Sequence, residues 1–143
     1  MPTVTLQEAE NIIKGAKVKI GQLGVKMSVS VTDARGDLIA MIRTDGASWR
    51  TPFISIGKAI ASACFGLPSV ELEDRSKAPV FQAFTVLQEG NFIMGQGALP
   101  IYKNGEIAGA VGASGGTSEE DEEVARAGLE SAGLETSLSL IHI

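Results

Sequence analysis

Apolar residues recur at helical spacing from Leu6 through Ala9, Ile12, Ile13, Ala16 and Ile20 to Leu23, which predicts an amphipathic first helix. Thr5 can cap it with Glu8 as the capping-box partner, and Gly24 closes it. The period then changes to two: Met27, Val29 and Val31 alternate with Ser28, Ser30 and Thr32, so this strand has one apolar face and one small, polar face. A second strand, Leu38–Arg43, follows after Asp33-Ala34-Arg35-Gly36-Asp37, a hairpin-length loop whose glycine can take a positive φ. Pro52 opens a second helix that runs through Cys64 and ends at Gly66 and Pro68. On it Ser55, Lys58 and Ser62 share a face, whereas Phe53, Ile56, Ile60, Ala61 and Cys64 lie largely elsewhere.

A short helical turn, Leu72–Ser76, precedes a third helix, Pro79–Gln88, with Val80, Phe81, Phe84 and Leu87 on one side and Gly90 as its stop. Three strands are predicted next: Asn91–Gly95, Ala98–Tyr102 and Glu106–Ser114, the last two joined by an Asn104-Gly105 turn. A final helix spans Ser118–Ala132, with Thr117 and Glu120, or Ser118 and Asp121, as its capping box. Hairpin-length loops on both sides of the central helices predict an α+β domain, a five-stranded antiparallel sheet flanked by helices. The chain divides into one domain, residues 1–134, and a tail, 135–143, in which Leu138, Leu140 and Ile141 partly alternate with Ser137, Ser139 and His142. That tail either frays or adds an edge strand to a neighbouring subunit.

Composition agrees with one globular domain: 143 residues, 44% hydrophobic, 20% charged, 5% aromatic and 17 glycines. A single cysteine excludes an intrachain disulfide framework or a multi-cysteine metal centre. No apolar run approaches the length of a membrane span and the N-terminus does not read as a signal peptide, so a cytoplasmic protein without a membrane partner is expected. The net charge of −5 is uneven, because eight acids in residues 104–143 face Arg126 alone. The run Glu119–Glu123 suits the first turns of a helix, with a cation site as the sharper alternative. A nucleic-acid partner is not expected, since no basic stripe with interleaved aromatics is present.

Candidate chemistry centres on Gly105–Ala125. Glycines at Gly109, Gly112 and Gly115 mark close approach of a backbone or a ligand, and the Gly115-Gly116 junction either presents N–H groups to a ligand or serves packing only. Lys58, in an apolar helical context, is either an amine whose charge burial would disfavour or a surface lysine with its stem along the helix. Asp121 falls on the apolar stripe of the last helix and needs a partner, either Lys58 or a first-turn N–H. A meeting of Lys58 and Asp121 near Gly115-Gly116 would make a small pocket able to hold a carboxylate and move a proton. Arg50 beside Trp49, and Arg75, are further anchors for an acidic or aromatic ligand. No serine-nucleophile elbow and no phosphate-loop signature is present.

Several motifs in this order extend over most of the chain, from Leu6 to Leu134. They are Ser28–Arg43 with its Asp33…Gly36 turn, Lys58-Ala59 with Phe65-Gly66-Leu67-Pro68, Gly97-Ala98-Leu99-Pro100-Ile101, and Gly105–Ala125 with Gly112–Gly116 and Asp121. In these the chain resembles the GlcG/HbpS family, the haem-binding and haem-degrading domain also found at the C-terminus of PduO-type proteins. The resemblance implies a profilin-like α-β-α fold, assembly as a homo-oligomer from dimer to octamer, and haem or a related tetrapyrrole as ligand. Gly97-Ala98-Leu99-Pro100 departs mildly from the Gly-Gly-Val-Pro of many members. The ligand inventory is thin: one histidine, His142, sits at the end of the chain, Cys64 reads as buried and inert, and Tyr102, Met41 and Met94 read as core. A threonine or a weak oxygen ligand in the Gln88–Gln96 region is a further choice.

The expected function, on that resemblance, is an oligomeric protein that binds a small molecule, with haem or a related tetrapyrrole as the implied ligand and otherwise no cofactor. The alternatives are a cofactor-independent lyase or isomerase acting on a small aromatic or carboxylated catabolic intermediate, and an accessory subunit without a site. The expected catalytic residues are Lys58 and Asp121. The expected ligand-binding residues are Trp49, Arg50, Gly97, Pro100, Gly115 and Gly116, and no metal site is expected.

Overall fold

The structure, a computed structural model, describes residues 2–136. In chain order it contains α1 (Leu6–Leu23), β1 (Ser28–Asp33), β2 (Leu38–Arg43), α2 (Thr51–Phe65), two 3-10 turns (Ser69–Leu72 and Arg75–Lys77), α3 (Pro79–Leu87), β3 (Ala98–Lys103), β4 (Glu106–Ser114) and α4 (Ser118–Ser131). The strands form one antiparallel sheet in the order β2-β1-β4-β3.

The sheet has four strands, which corrects the expected five. Residues 91–95 run as an irregular segment. The Ile93 N–H donates to the Gly57 carbonyl of α2 at 3.0 Å, so this stretch is tied to a helix and not to a sheet neighbour. Its alternating Phe92 and Met94 are buried beside Ala61 and Leu72 in a small second core. Alternation therefore reports a half-buried extended segment, which need not be a strand. The outer edge of β3 is closed by other means. Ser69 Oγ accepts from the Ala98 N–H at 2.9 Å, Pro100 carries no N–H, and the Tyr102 N–H donates to the Glu135 carbonyl at 2.8 Å. That bond, with its antiparallel bridge, places the start of the expected tail beside β3. Residues 137–143, on which the edge-strand expectation rests, lie outside the described residues.

Helices cover both faces of the sheet. One face presents Val29, Val31, Leu99, Ile101, Val111 and Ala113 to α1 and α4, and this is the main core. The other presents Ser28, Ser30, Thr32, Ala110 and Gly112, all buried under α2. Hydroxyls on this second face pair across the layer, Ser28 Oγ with Thr51 Oγ1 at 2.8 Å and Ser30 Oγ with Ser55 Oγ at 2.7 Å. Alternation of Val and Ser in β1 thus separates two buried faces, because a helix carrying its own hydroxyls satisfies the polar one. Gly112 lies directly under α2, where a Cβ would stand 2.9 Å from the Ala59 nitrogen.

Both capping boxes form as expected, Thr5 with Glu8 on α1 and Thr117 with Glu120 on α4. Glu8 also receives Lys103 at 2.8 Å, which ties the start of α1 to the end of β3. Burial pushes the Glu8 carboxyl upward, but the bonds from Lys103 and from the Thr5 N–H and hydroxyl outweigh it and hold the carboxyl below its ordinary 4.5. A depressed carboxylate stabilises the fold above its unfolded pKa and loses that contribution as pH falls through the folded value. Glu8→Gln should therefore cost about 1 kcal/mol at neutral pH, the scale of a lost cap, and progressively less below pH ~4. Urea midpoints measured across that range check it.

Candidate functional site

Lys58 and Asp121 meet in the interior. Lys58 lies on the sheet-facing side of α2, and Asp121 lies in the first turns of α4, immediately after the Gly115-Gly116 turn that leaves β4. The Lys58 ammonium donates to Asp121 Oδ2 at 2.9 Å and to the Ala113 carbonyl at 3.1 Å. The second carboxylate oxygen, Asp121 Oδ1, accepts from the Gly116 N–H at 2.9 Å. Side-chain exposures of 9% and 6% make this a buried ion pair, so the surface reading of Lys58 does not hold. Of the two partners expected for Asp121, Lys58 is used; the backbone N–H that joins it is that of Gly116, ahead of the Thr117 cap, and not one of the first turn. Burial pushes the Asp121 carboxyl above its ordinary 3.8, against the opposing pull of Lys58 and of the Gly116 N–H.

Glycines enclose the pair. Gly97 has φ +137°, and a Cβ there would stand 2.7 Å from Lys58 Nζ, 2.8 Å from the Ala113 oxygen and 3.0 Å from Asp121 Cβ. The backbone at Gly97 therefore lies directly on the ion pair. Gly115, with φ +134°, is pressed against the backbone of Lys26 and Met27. A Cβ on Gly116 would meet Glu120. Pro100 is fully buried in β3. Trp49 is 71% exposed, touches Phe53 edge-on at 6.4 Å, and stands beside the exposed Arg50 that precedes α2.

A second constellation lies between α2, α3 and the 91–97 segment. A groove of about 400 Å³ is lined by Ser76, Gln82, Thr85, Phe92, Ile93 and Met94. Four of the chain's five phenylalanines form its foundation, with edge-to-face contacts Phe65–Phe81 (5.5 Å), Phe65–Phe92 (6.0 Å) and Phe84–Phe92 (4.9 Å). The Arg75 guanidinium lies 5.0 Å over the Phe65 ring. The 91–97 segment joins the two constellations, since it carries Met94 at one end and Gly97 at the other. The sequence pattern places Met94 in the core of a strand and does not assemble this groove. The signal was the gathering of phenylalanines between residues 65 and 92 in a chain poor in aromatics.

The remaining soft donors are distributed elsewhere. Cys64 is exposed, which corrects the expectation of a buried thiol; it lies on the outward side of α2's last turn. The Tyr102 hydroxyl donates to the Gly66 carbonyl at 2.7 Å, and Met41 is half-buried in β2. His142 lies outside the described residues. Among the described residues no group of three or more His, Cys, Asp or Glu side chains could hold a metal ion. No single described helix is long and apolar enough to cross a membrane.

A four-stranded antiparallel sheet between helical layers, with a glycine-capped ion pair at one end, defines a small α+β domain of a known kind. Residues 4–130 match the family described as haem degrading protein HbpS-like, and the chain belongs to that family. An uncharacterized 15.0 kDa protein in the dhaT-dhaS intergenic region of Citrobacter freundii is 32% identical over 130 residues, 90% of this chain and 91% of the relative. The crystal structure of Klebsiella pneumoniae protein ORFY superposes with a TM-score of 0.86 at 26% identity, over 93% of this chain and 92% of that one. The PduOC:haem complex superposes with a TM-score of 0.85 at 21% identity, over 94% and 99% of the two chains, and shares the fold.

Proposed function

We propose that this protein binds haem in the groove between α3, the Arg75–Lys77 turn and the 91–97 segment. The observation that carries the reading is Met94, a thioether lining an apolar groove of cofactor-pocket size in a member of a haem-related family. Phe92 and Ile93 would supply apolar wall, and the Met94 thioether would be the side chain that holds the iron. Ser76, at the rim, is flanked in sequence by Arg75 and Lys77, two cations suited to the propionates. Haem, when bound, supplies a redox-active iron to such a site. The protein's part is to orient it, to exclude water with the phenylalanine cluster, and to hold the 91–97 segment in place through Lys58, Asp121 and Gly97.

Haemin titrated into the purified protein should give a saturable, sharpened Soret band at micromolar concentration. Met94→Ala should lower the affinity at least tenfold and alter the ligand-field bands, with the fold retained. Absence of a saturable Soret change in the wild-type protein, or a Met94→Ala spectrum identical to it, would overturn the reading.

A second reading keeps Lys58 and Asp121 as the acid–base pair of a cofactor-independent lyase or isomerase, with Gly115, Gly116 and Gly97 around a small carboxylate. What favours it is an ammonium and a carboxylate 2.9 Å apart in a desolvated position. Its test is deuterium wash-in at the α-carbon of a panel of small carboxylic acids, followed by proton NMR. Exchange in the wild-type protein that a Lys58→Met/Asp121→Leu variant loses would support it. No exchange in any acid would end it.

A further inference from the structure

The free edge of the sheet carries a groove on its α1 face. β2 ends the order β2-β1-β4-β3, so among the described residues no strand lies beyond it. Between β2 and α1 a groove of about 340 Å³ opens. Its β2 side is apolar: Ile42 pairs with Val29 and Ala40 with Val31, which turns both toward α1 and the main core. Its α1 side is graded. Leu6, 58% exposed, stands at one end, Ile13 is buried in the middle, and Lys14 and Lys17 stand exposed at the other. At about 1.5 Å per residue, the helix from Leu6 to Lys14 is about 12 Å long.

We propose that this groove binds a medium-chain carboxylate, its head between Lys14 and Lys17 and its chain lying over Ala40 and Ile42 toward Leu6. The charge of the groove carries the argument. Among the described residues neither Lys14 nor Lys17 forms an ion pair, whereas Lys19 of the same helix meets Glu123 at 3.1 Å and Lys103 meets Glu8 at 2.8 Å. Three residues apart, the two ammonium groups are neighbours on the helix surface, and like charges so placed repel. A carboxylate between them relieves that repulsion and accepts from both. Glu10, the acid that lines the groove, lies a turn nearer Leu6 and pairs with neither lysine. It repels a head group placed at the Leu6 end, which fixes the direction of the ligand. The chain then covers the half-buried Ala40 and Ile42, apolar surface that leaves water. Exposed ion pairs contribute little alone, so the site needs head and chain together.

The inference stands apart from the haem reading, since this groove shares no lining residue with the other and its test involves no haem. Decanoate, kept below its micelle concentration and titrated into the nitrogen-labelled full chain, should saturably shift the amide signals of Ala40, Met41 and Ile42 in proton–nitrogen correlation spectra. The Met94 amide should stay in place. Acetate, which lacks the chain, and decyltrimethylammonium, which reverses the charge, should each bind at least tenfold more weakly. Lys14→Glu/Lys17→Glu should lower the affinity for decanoate at least tenfold with an unchanged far-ultraviolet circular dichroism spectrum, and Lys14→Arg/Lys17→Arg should keep it. Absence of a saturable shift at β2 overturns the inference. So does equal binding of decyltrimethylammonium, or undiminished binding by Lys14→Glu/Lys17→Glu. Decanoate shifts confined to Met94 and its neighbours place the acid in the other groove and overturn it too. β2 signals that move on dilution and ignore decanoate show that a second copy covers this edge, which equally overturns it.

Discussion

Asp121→Asn should destabilise the protein by about 3–5 kcal/mol at neutral pH, the largest effect expected of any isosteric replacement in this fold. The substitution removes almost no volume. It leaves the Lys58 ammonium, 9% exposed, without a counter-charge, and gives Lys58 and the Gly116 N–H one neutral amide oxygen where each had a carboxylate oxygen. A buried cation without its counter-charge loses solvation that an amide oxygen replaces only in part. The urea midpoint should fall steeply with little change in slope, which places the loss in the native state.

Lys58→Met strands the other member, and the consequence differs because a carboxylate can escape by taking a proton. Burial already pushes Asp121 upward in the intact pair, and without Lys58 that push is opposed chiefly by the Gly116 N–H. A carboxyl with a raised folded pKa is matched to its site at acidic pH. It loses stability as pH rises from the unfolded value, near 3.8, through the folded one. Lys58→Met should therefore approach wild-type stability in acid and lose it toward neutrality, whereas Asp121→Asn should show no such recovery. Replacing both, as Lys58→Met/Asp121→Leu, should return most of the loss, because an apolar pair of similar volume often equals a buried ion pair. The residue is the Gly116 N–H, left without its acceptor at about 1–3 kcal/mol. Strict additivity of the two single losses would show that the groups are not coupled.

Much of this architecture is legible in local chemistry. Thr5 with Glu8 and Thr117 with Glu120 mark two helix starts, and Asn104-Gly105 marks a hairpin in which both residues take positive φ, 54° and 77°. Pairing partners are less legible. Phe92 and Met94 alternate like a strand, yet the backbone between them finds a helix carbonyl, a choice made by where Gly57 leaves room for Ile93. Cys64 was misplaced because an apolar run does not say which side of its helix faces water; Ala61 and Ala63 face inward and Cys64 does not. Lys58 and Asp121 were each identifiable as ionisable residues in apolar company, a condition that needs a partner. The groove was not, because its walls come from α3, a 3-10 turn and an irregular segment with no common period.

Gly97→Ala should cost about 3 kcal/mol or more, out of proportion to one added methyl group. Two penalties act together. At φ +137° the backbone is in a region that L side chains rarely adopt, a strain of about 1–3 kcal/mol. The new Cβ would also stand 2.7 Å from Lys58 Nζ and 2.8 Å from the Ala113 oxygen, contacts that must lengthen. Lys58 cannot withdraw without loosening its bond to Asp121, and Ala113 is fixed by its own N–H donating to the Gly97 carbonyl at 2.9 Å. Gly133→Ala separates the two penalties, since φ there is +69° and nothing lies within 4 Å of the added atom. It should cost only about 1 kcal/mol, the left-handed conformation alone. Comparable midpoint shifts for the two variants would mean that the ion pair yields to Gly97 freely. A much larger shift at Gly97, accompanied by weakened haemin binding through the displaced Met94, would mean that the pair anchors the 91–97 segment from below.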